Sequence, residues 1–165
     1  MIVALSVVSA AYFLGVFSPH TSWLFKGAYA TYSGETTVLT VPFNVTIGFH
    51  VVNFNSTHVE VLTYYSVQSK LGSRTNQSSQ WEKLSSTFNS TIPGATLVRQ
   101  YDTARLIGSN AIDCTAYEYS EQGATVTAYV SNSVGFPVEL TFQFTSNGNL
   151  TFDLPIVHTN IPGLE

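Results

Sequence analysis

The residues able to do chemistry are few and scattered. Four histidines, His20, His50, His58 and His158, are spread over the chain. A metal site needs three or four converging ligands. His50 and His58 flank one predicted hairpin and could approach each other across it, but the nearest carboxylate, Glu60, is on the same strand as His58. The carboxylates available for acid/base work, such as Glu118, Glu121 and Glu139, are isolated strand positions, with nothing to pair two of them across a scissile bond. Gly-x-Ser-x-Gly, His-Glu-x-x-His, phosphate-loop and Cys-x-x-Cys patterns do not occur. The expectation is a protein that is not an enzyme and uses no metal or cofactor. Cys114 is the single cysteine, so no internal disulfide can form. In "AIDCTAY" it shares a strand face with Ile112 and Ala116, which predicts a buried, unreactive thiol.

The motif that recurs is a modification site. Asn44, Asn55, Asn76, Asn89 and Asn149 each stand two residues before Ser or Thr with no Pro between, the acceptor pattern for an N-linked glycan. Asn76 and Asn89 lie in polar stretches that read as loops. Asn55 falls in the turn "NFNST", and Asn44 and Asn149 take the polar face of alternating strands. These placements predict an extracellular, cell-surface glycoprotein carrying N-linked glycans.

Composition points the same way. Only 10% of residues are charged, while Ser, Thr and Asn make up roughly three residues in ten, so hydroxyls, amides or attached groups supply solubility. The net charge is -4, and the six Lys and Arg form no stripe, which argues against nucleic acid as a partner. With few carboxylates to protonate, little native charge pairing is lost in acid. The fold is therefore expected to tolerate low pH.

The elements that carry these residues read as strands from Gly27 onward. In "FNVTIGFHVV", Val45, Ile47, Phe49 and Val51 alternate with polar or small residues, and "HVEVLTYYSV" follows across a short polar turn, a long hairpin with one dry face. "AIDCTAYEY", "TVTAYVS", "VELTFQFT" and "LTFDL" continue as a meander, the last two joined through Asn147-Gly148. Tyr64, Tyr65, Tyr117, Tyr119 and Tyr129 fall on these strands, either as cross-strand packing or as a sugar-stacking platform. In "SSQWEKLSSTF" the spacing of Trp81, Leu84 and Phe88 predicts one helix. The fold class expected is mainly β: an antiparallel meander forming a β-sandwich or half-open barrel body over residues 26–165, behind an apolar N-terminal segment, residues 1–25.

That segment, "MIVALSVVSAAYFLGVFSPHTSWLF", has no charged side chain. A secretory signal would carry a basic start and a small-x-small cleavage site. A membrane anchor needs about 20 apolar residues, and Ile2 to Phe17 supplies 16 before "SPHTS". The remaining reading is an assembly segment, in which Ile2, Val3, Leu5, Val7, Val8, Tyr12, Phe13, Leu14, Val16 and Phe17 are buried against copies of the chain. Its Ala and Leu favour a helix and its Val, Ile and aromatic residues a strand. Without strict alternation the helix is favoured over a donated strand.

An apolar start followed by a β-rich, charge-poor body with sequons resembles the subunits of archaeal surface filaments, of the type IV pilin-like or thread-like kind. The resemblance is one of architecture over the whole chain. It implies a structural subunit that polymerises with copies of itself through the N-terminal segment, with transient membrane association before assembly and a glycosylated outer domain. A second, weaker likeness covers about 40 residues: "TAYVSNSVGFPVELTF" resembles a strand, Gly-x-Pro turn and strand in lipoprotein carriers of the half-open barrel type. It implies a lipid or apolar-ligand pocket walled by Phe136, Leu140 and Phe142.

Overall fold

The computed structural model describes residues 22–84, 96–121, 123–144 and 150–165. Nine strands follow one another: β1 (Tyr29–Val38), β2 (Val41–Phe54), β3 (His58–Ser69), β4 (Gly72–Lys83), β5 (Thr96–Ile107), β6 (Asn110–Glu121), β7 (Ala124–Ser131), β8 (Pro137–Phe144) and β9 (Leu150–Thr159). They form one open antiparallel sheet in the spatial order β4-β3-β2-β1-β9-β8-β7-β6-β5. Two meanders, β1 to β4 and β5 to β9, therefore meet along a seam between β1 and β9. The chain is mainly β, as its alternating pattern predicts, with no helix among the described residues. The apolar N-terminal residues, Ile2 to Phe17, lie outside the described residues, as does the Asn147-Gly148 turn.

Period two puts one row of each strand into the core. Tyr32, Ile47 and Tyr65 share a cross-strand row, and Val51 faces Val61. In the second meander Val126 faces Phe142, which faces Phe152, and Ala128 faces Leu140, which faces Leu154. Most of these side chains are fully buried, at about 1.5–3 kcal/mol for each large apolar one. The rows expected on β8 and β9 are in register, Phe144 opposite Leu150, with the Phe144 and Phe152 rings edge-on at 6.1 Å.

The other face of the first meander is polar. One row runs Ser33, Thr46, Ser66, Thr75 and the next Thr31, Gly48, Tyr64, Gln77.

The seam is short and irregular. Only Ala30–Thr159, Thr31–His158 and Tyr32–Ile156 pair directly, with a bulge after Thr31. Side chains extend it: Tyr29 N–H donates to Asn160 Oδ1 (2.8 Å), Asn160 Nδ2 donates to the Gly27 carbonyl (3.0 Å), and Thr36 Oγ1 donates to the Thr151 carbonyl (3.0 Å). Gly34 lets the two strands close, because a β-carbon there would run into the Asp153 carbonyl and the Leu154 side chain.

Three local expectations are corrected. Of the stretch Ser78 to Phe88 expected as a helix, Ser78 to Lys83 continues β4, in register with β3 from Gly72 to Lys83, and its residues after Leu84 lie outside the described ones. Gln80 and Glu82 are half-buried while Trp81 and Lys83 are exposed. Pairing along all of β3 outweighs a weak helical spacing. Asn76, expected in a loop, stands mid-strand in β4 for the same reason. His50 and His58 do not meet: His50 is opposite Tyr29 and Leu62, and His58 opposite Lys83. Four strand positions, about 13 Å, separate His58 from the row of His50.

Candidate functional site

The described chain enters through Trp23, which is 1% exposed and 5.5 Å from the Phe136 ring. Leu24 and Phe25 also pack against the core. The last three residues of the stretch read as an apolar tail thus belong to the body's packing. The assembly residues proper, Ile2 to Phe17, lie outside the described residues. The hollow beside Trp23, lined among others by Ala28, Phe49, Val61 and Ile161, has a volume of about 10 Å³, room for one water at most. Phe136, Leu140 and Phe142 are themselves buried core side chains.

Both sheet edges are long. β4 and β5 each offer twelve residues with one side unpaired by any described strand. They differ in character. β4 is unbroken against β3, and between Arg74 and Glu82 it carries no charge and no proline. β5 is bulged between Leu97 and Arg99 and charged along its length at Arg99, Asp102 and Arg105. Charges and bulges are the usual protection of an edge against strand addition. β5 has it and the middle of β4 does not.

Three sequon residues can be placed. Asn55 is exposed in the β2–β3 turn, where Oδ1 accepts from Thr57 N–H (2.9 Å), Thr57 Oγ1 (3.1 Å) and His58 N–H (2.8 Å). This side-chain turn leaves its Nδ2 outward. Asn44, on β2, is half-buried and accepts from Ser33 Oγ (3.4 Å) and Thr46 Oγ1 (3.3 Å). Asn76 is exposed on β4. Asn89 and Asn149 lie outside the described residues.

A charged cluster forms that has no local signature in the chain. In a flat sheet β5 and β9 would stand about 19 Å apart. Instead the β5–β6 turn, Leu106 to Asn110, and Pro155 to Thr159 of β9 line one groove, so this hairpin bends over the second meander. Arg105 thereby reaches Glu139 on β8 (Nε to Oε2, 3.5 Å), with its guanidinium 3.6 Å from the centre of the Tyr129 ring. Burial raises the Glu139 carboxyl above the ordinary glutamate range; Arg105 pulls against this and Asp153 adds to it. Cys114 beneath is fully buried. Burial pushes its thiol up to about 11 despite Arg105, so it stays protonated at neutral pH. Arginine to carboxylate spans 34 residues and three strands, and no spacing rule announces it. The cluster fastens the hairpin.

A pH prediction arises here. Glu82 is likewise raised by burial. A carboxyl whose folded pKa exceeds its unfolded one holds a proton more tightly when folded, so its contribution to stability is full below the unfolded value, about 4.3, and is lost as pH rises through the folded value. Thermal melts at pH 7, 5.5 and 4.5 should show a transition temperature that holds or rises toward acid. Glu139→Gln should flatten the change, and a steep fall by pH 4.5 would contradict the account.

Among the described residues no group of three His, Cys, Asp or Glu could hold a metal ion, and no helix is long and apolar enough to cross a membrane. No protein-family model, curated protein or solved structure matches the chain.

Proposed function

We propose that this chain is a structural subunit of an extracellular filament, in which the apolar N-terminal segment of one copy adds to the open β4 edge of the next. The observation that carries the reading is that edge: twelve residues in continuous register, their outer main-chain groups unpaired by any described strand, uncharged from Thr75 to Trp81. The segment from Ile2 to Phe17, at 16 residues, is long enough to cover this edge and is free of charge and proline throughout. Main-chain hydrogen bonds would supply the affinity, as in other strand additions. Trp23 roots the segment in the body, so a donated strand would hold two bodies together. The contact is head-to-tail and leaves each new edge open, so it propagates. Asn44 on β2 and Asn55 in the β2–β3 turn lie off this edge, whereas a glycan on Asn76 of β4 would crowd the incoming strand.

Deleting residues 2–17 should yield a soluble monomer by sedimentation, and a synthetic peptide of those residues should bind it and gain strand signal by circular dichroism. Fibres formed by the truncated chain would overturn the reading. A peptide that turned helical and ignored the body would move assembly to a helical core.

A further inference from the structure

The polar face of the first meander goes beyond an assembly role, and we infer that it is a binding surface for neutral oligosaccharides supplied from outside the chain. Its centre is Tyr64. The ring lies flat across the sheet over Gly48, where a β-carbon would run into ring atoms Cε1 and Cζ and the hydroxyl oxygen. The hydroxyl is tied to Thr31 Oγ1 on β1 by a hydrogen bond of 2.8 Å. One aromatic face is thus pressed on the sheet and the other is turned outward, held at both ends.

Around the ring the sheet supplies uncharged hydrogen-bonding groups at regular spacing. Thr46 and Thr75 stand in the row on one side, with the buried hydroxyl of Ser66 between them, Gln77 stands beside the ring on β4, and His50 and Ser79 flank Leu62 in the row on the other side. Trp81, half exposed at 50%, stands on the same face opposite Glu60. Four strand positions and one strand spacing separate it from Tyr64, roughly 14 Å. Two aromatic surfaces that far apart fit a chain of sugars better than a single one.

Charge selects the class of ligand. Charged residues are few: Glu35 stands at one end, Lys83 at the other, and Glu60 is opposite Trp81, where its Oε1 accepts from Ser79 Oγ (3.0 Å). Nucleic acid needs a basic track, and a protein interface usually has an apolar centre. This face has no basic track, and half-buried Leu62, between His50 and Ser79, is too small a patch to make an apolar centre. A neutral polyol offers what it lacks: weakly polar C–H faces for the rings, and hydroxyls that donate and accept toward Ser, Thr and Gln.

Saturation-transfer NMR on the full-length chain, made without glycans, tests this with maltohexaose, cellohexaose and laminarihexaose, and with a hexagalacturonate as the acidic control. At least one neutral hexasaccharide should receive saturation and the acidic one should not. Trp81→Ala, at an exposed position that leaves the fold intact, should weaken binding roughly fivefold, and Tyr64→Ala by at least as much. Trp81→Phe should restore most of it. The inference is overturned by transfer to none of the neutral sugars, by equal transfer to the acidic one, or by binding that ignores both aromatic substitutions. Because the sugars act on soluble and assembled chain alike, failure here leaves the filament reading untouched, and the reverse.

Discussion

Gly34→Ala should cost about 3 kcal/mol or more and leave little folded protein at 37 °C, although it adds one methyl group to a half-buried strand position. The new carbon would fall on the Asp153 carbonyl oxygen, a main-chain atom of β9 that cannot turn aside, with Leu154 behind it. Relief requires parting β1 from β9. That seam has three direct pairs and a few side-chain bonds, so it has little to spare against a total stability of about 5–15 kcal/mol. Gly48→Ala is the control. There the obstruction is the Tyr64 side chain, which can swing outward at the cost of its bond to Thr31. Urea midpoints should therefore separate the two, Gly48→Ala falling slightly and Gly34→Ala collapsing. Equal losses would mean that the seam is slacker than described.

Trp23→Ala should lose about 3–5 kcal/mol, the range for emptying a buried aromatic site. The ring is enclosed by Phe136, Phe49, Val51, Val61 and Ile161, drawn from β2, β3, the β7–β8 turn and the stretch after β9. It joins both meanders at one end of the sheet. The substitution should also release the chain before Gly27, so that limited proteolysis cuts between Leu24 and Lys26 while β1 is still protected. Trp23→Phe, which keeps a ring in place, should recover at least half of the loss. If the alanine variant kept its denaturation midpoint, Trp23 would be no anchor, and the strand-donation scheme would lose its root.

The parts of this fold that can be read from the chain are those written in adjacent residues. β2 and β3 announce themselves by alternation, and the Asn55 turn by an Asx side chain in a polar stretch. The parts that cannot be read depend on partners far away. β4 has no apolar alternation, since both its faces are mostly wet; only its pairing with β3 makes it a strand. The β1–β2 turn places Leu39 and Thr40 at positive φ, 47° and 70°, with neither the glycine nor the asparagine that usually marks such a turn. The Arg105–Glu139 pair needs the bend of a hairpin that no local pattern states. The flat Tyr64 ring needs a glycine sixteen positions earlier, and only the register brings the two together. The apolar segment is conspicuous by composition, but composition serves helix and strand about equally, so its conformation is not decided by its own residues.

The seam has a consequence for how the molecule comes together. Within each meander every strand pairs with its neighbour in sequence, so each half can zip up through short loops, whereas β1 and β9 are joined across about 130 residues. Closing so long a loop is entropically expensive and slow relative to hairpin growth. The expected order is two preformed meanders that dock last, with β1 and β9 as transient extra edges until they find each other. A newly made chain thus spends its most vulnerable interval with four edges in place of two, and in a crowded assembly zone the β1 of one molecule can meet the β9 of another. Low protein concentration during refolding should then matter more for yield than temperature or salt.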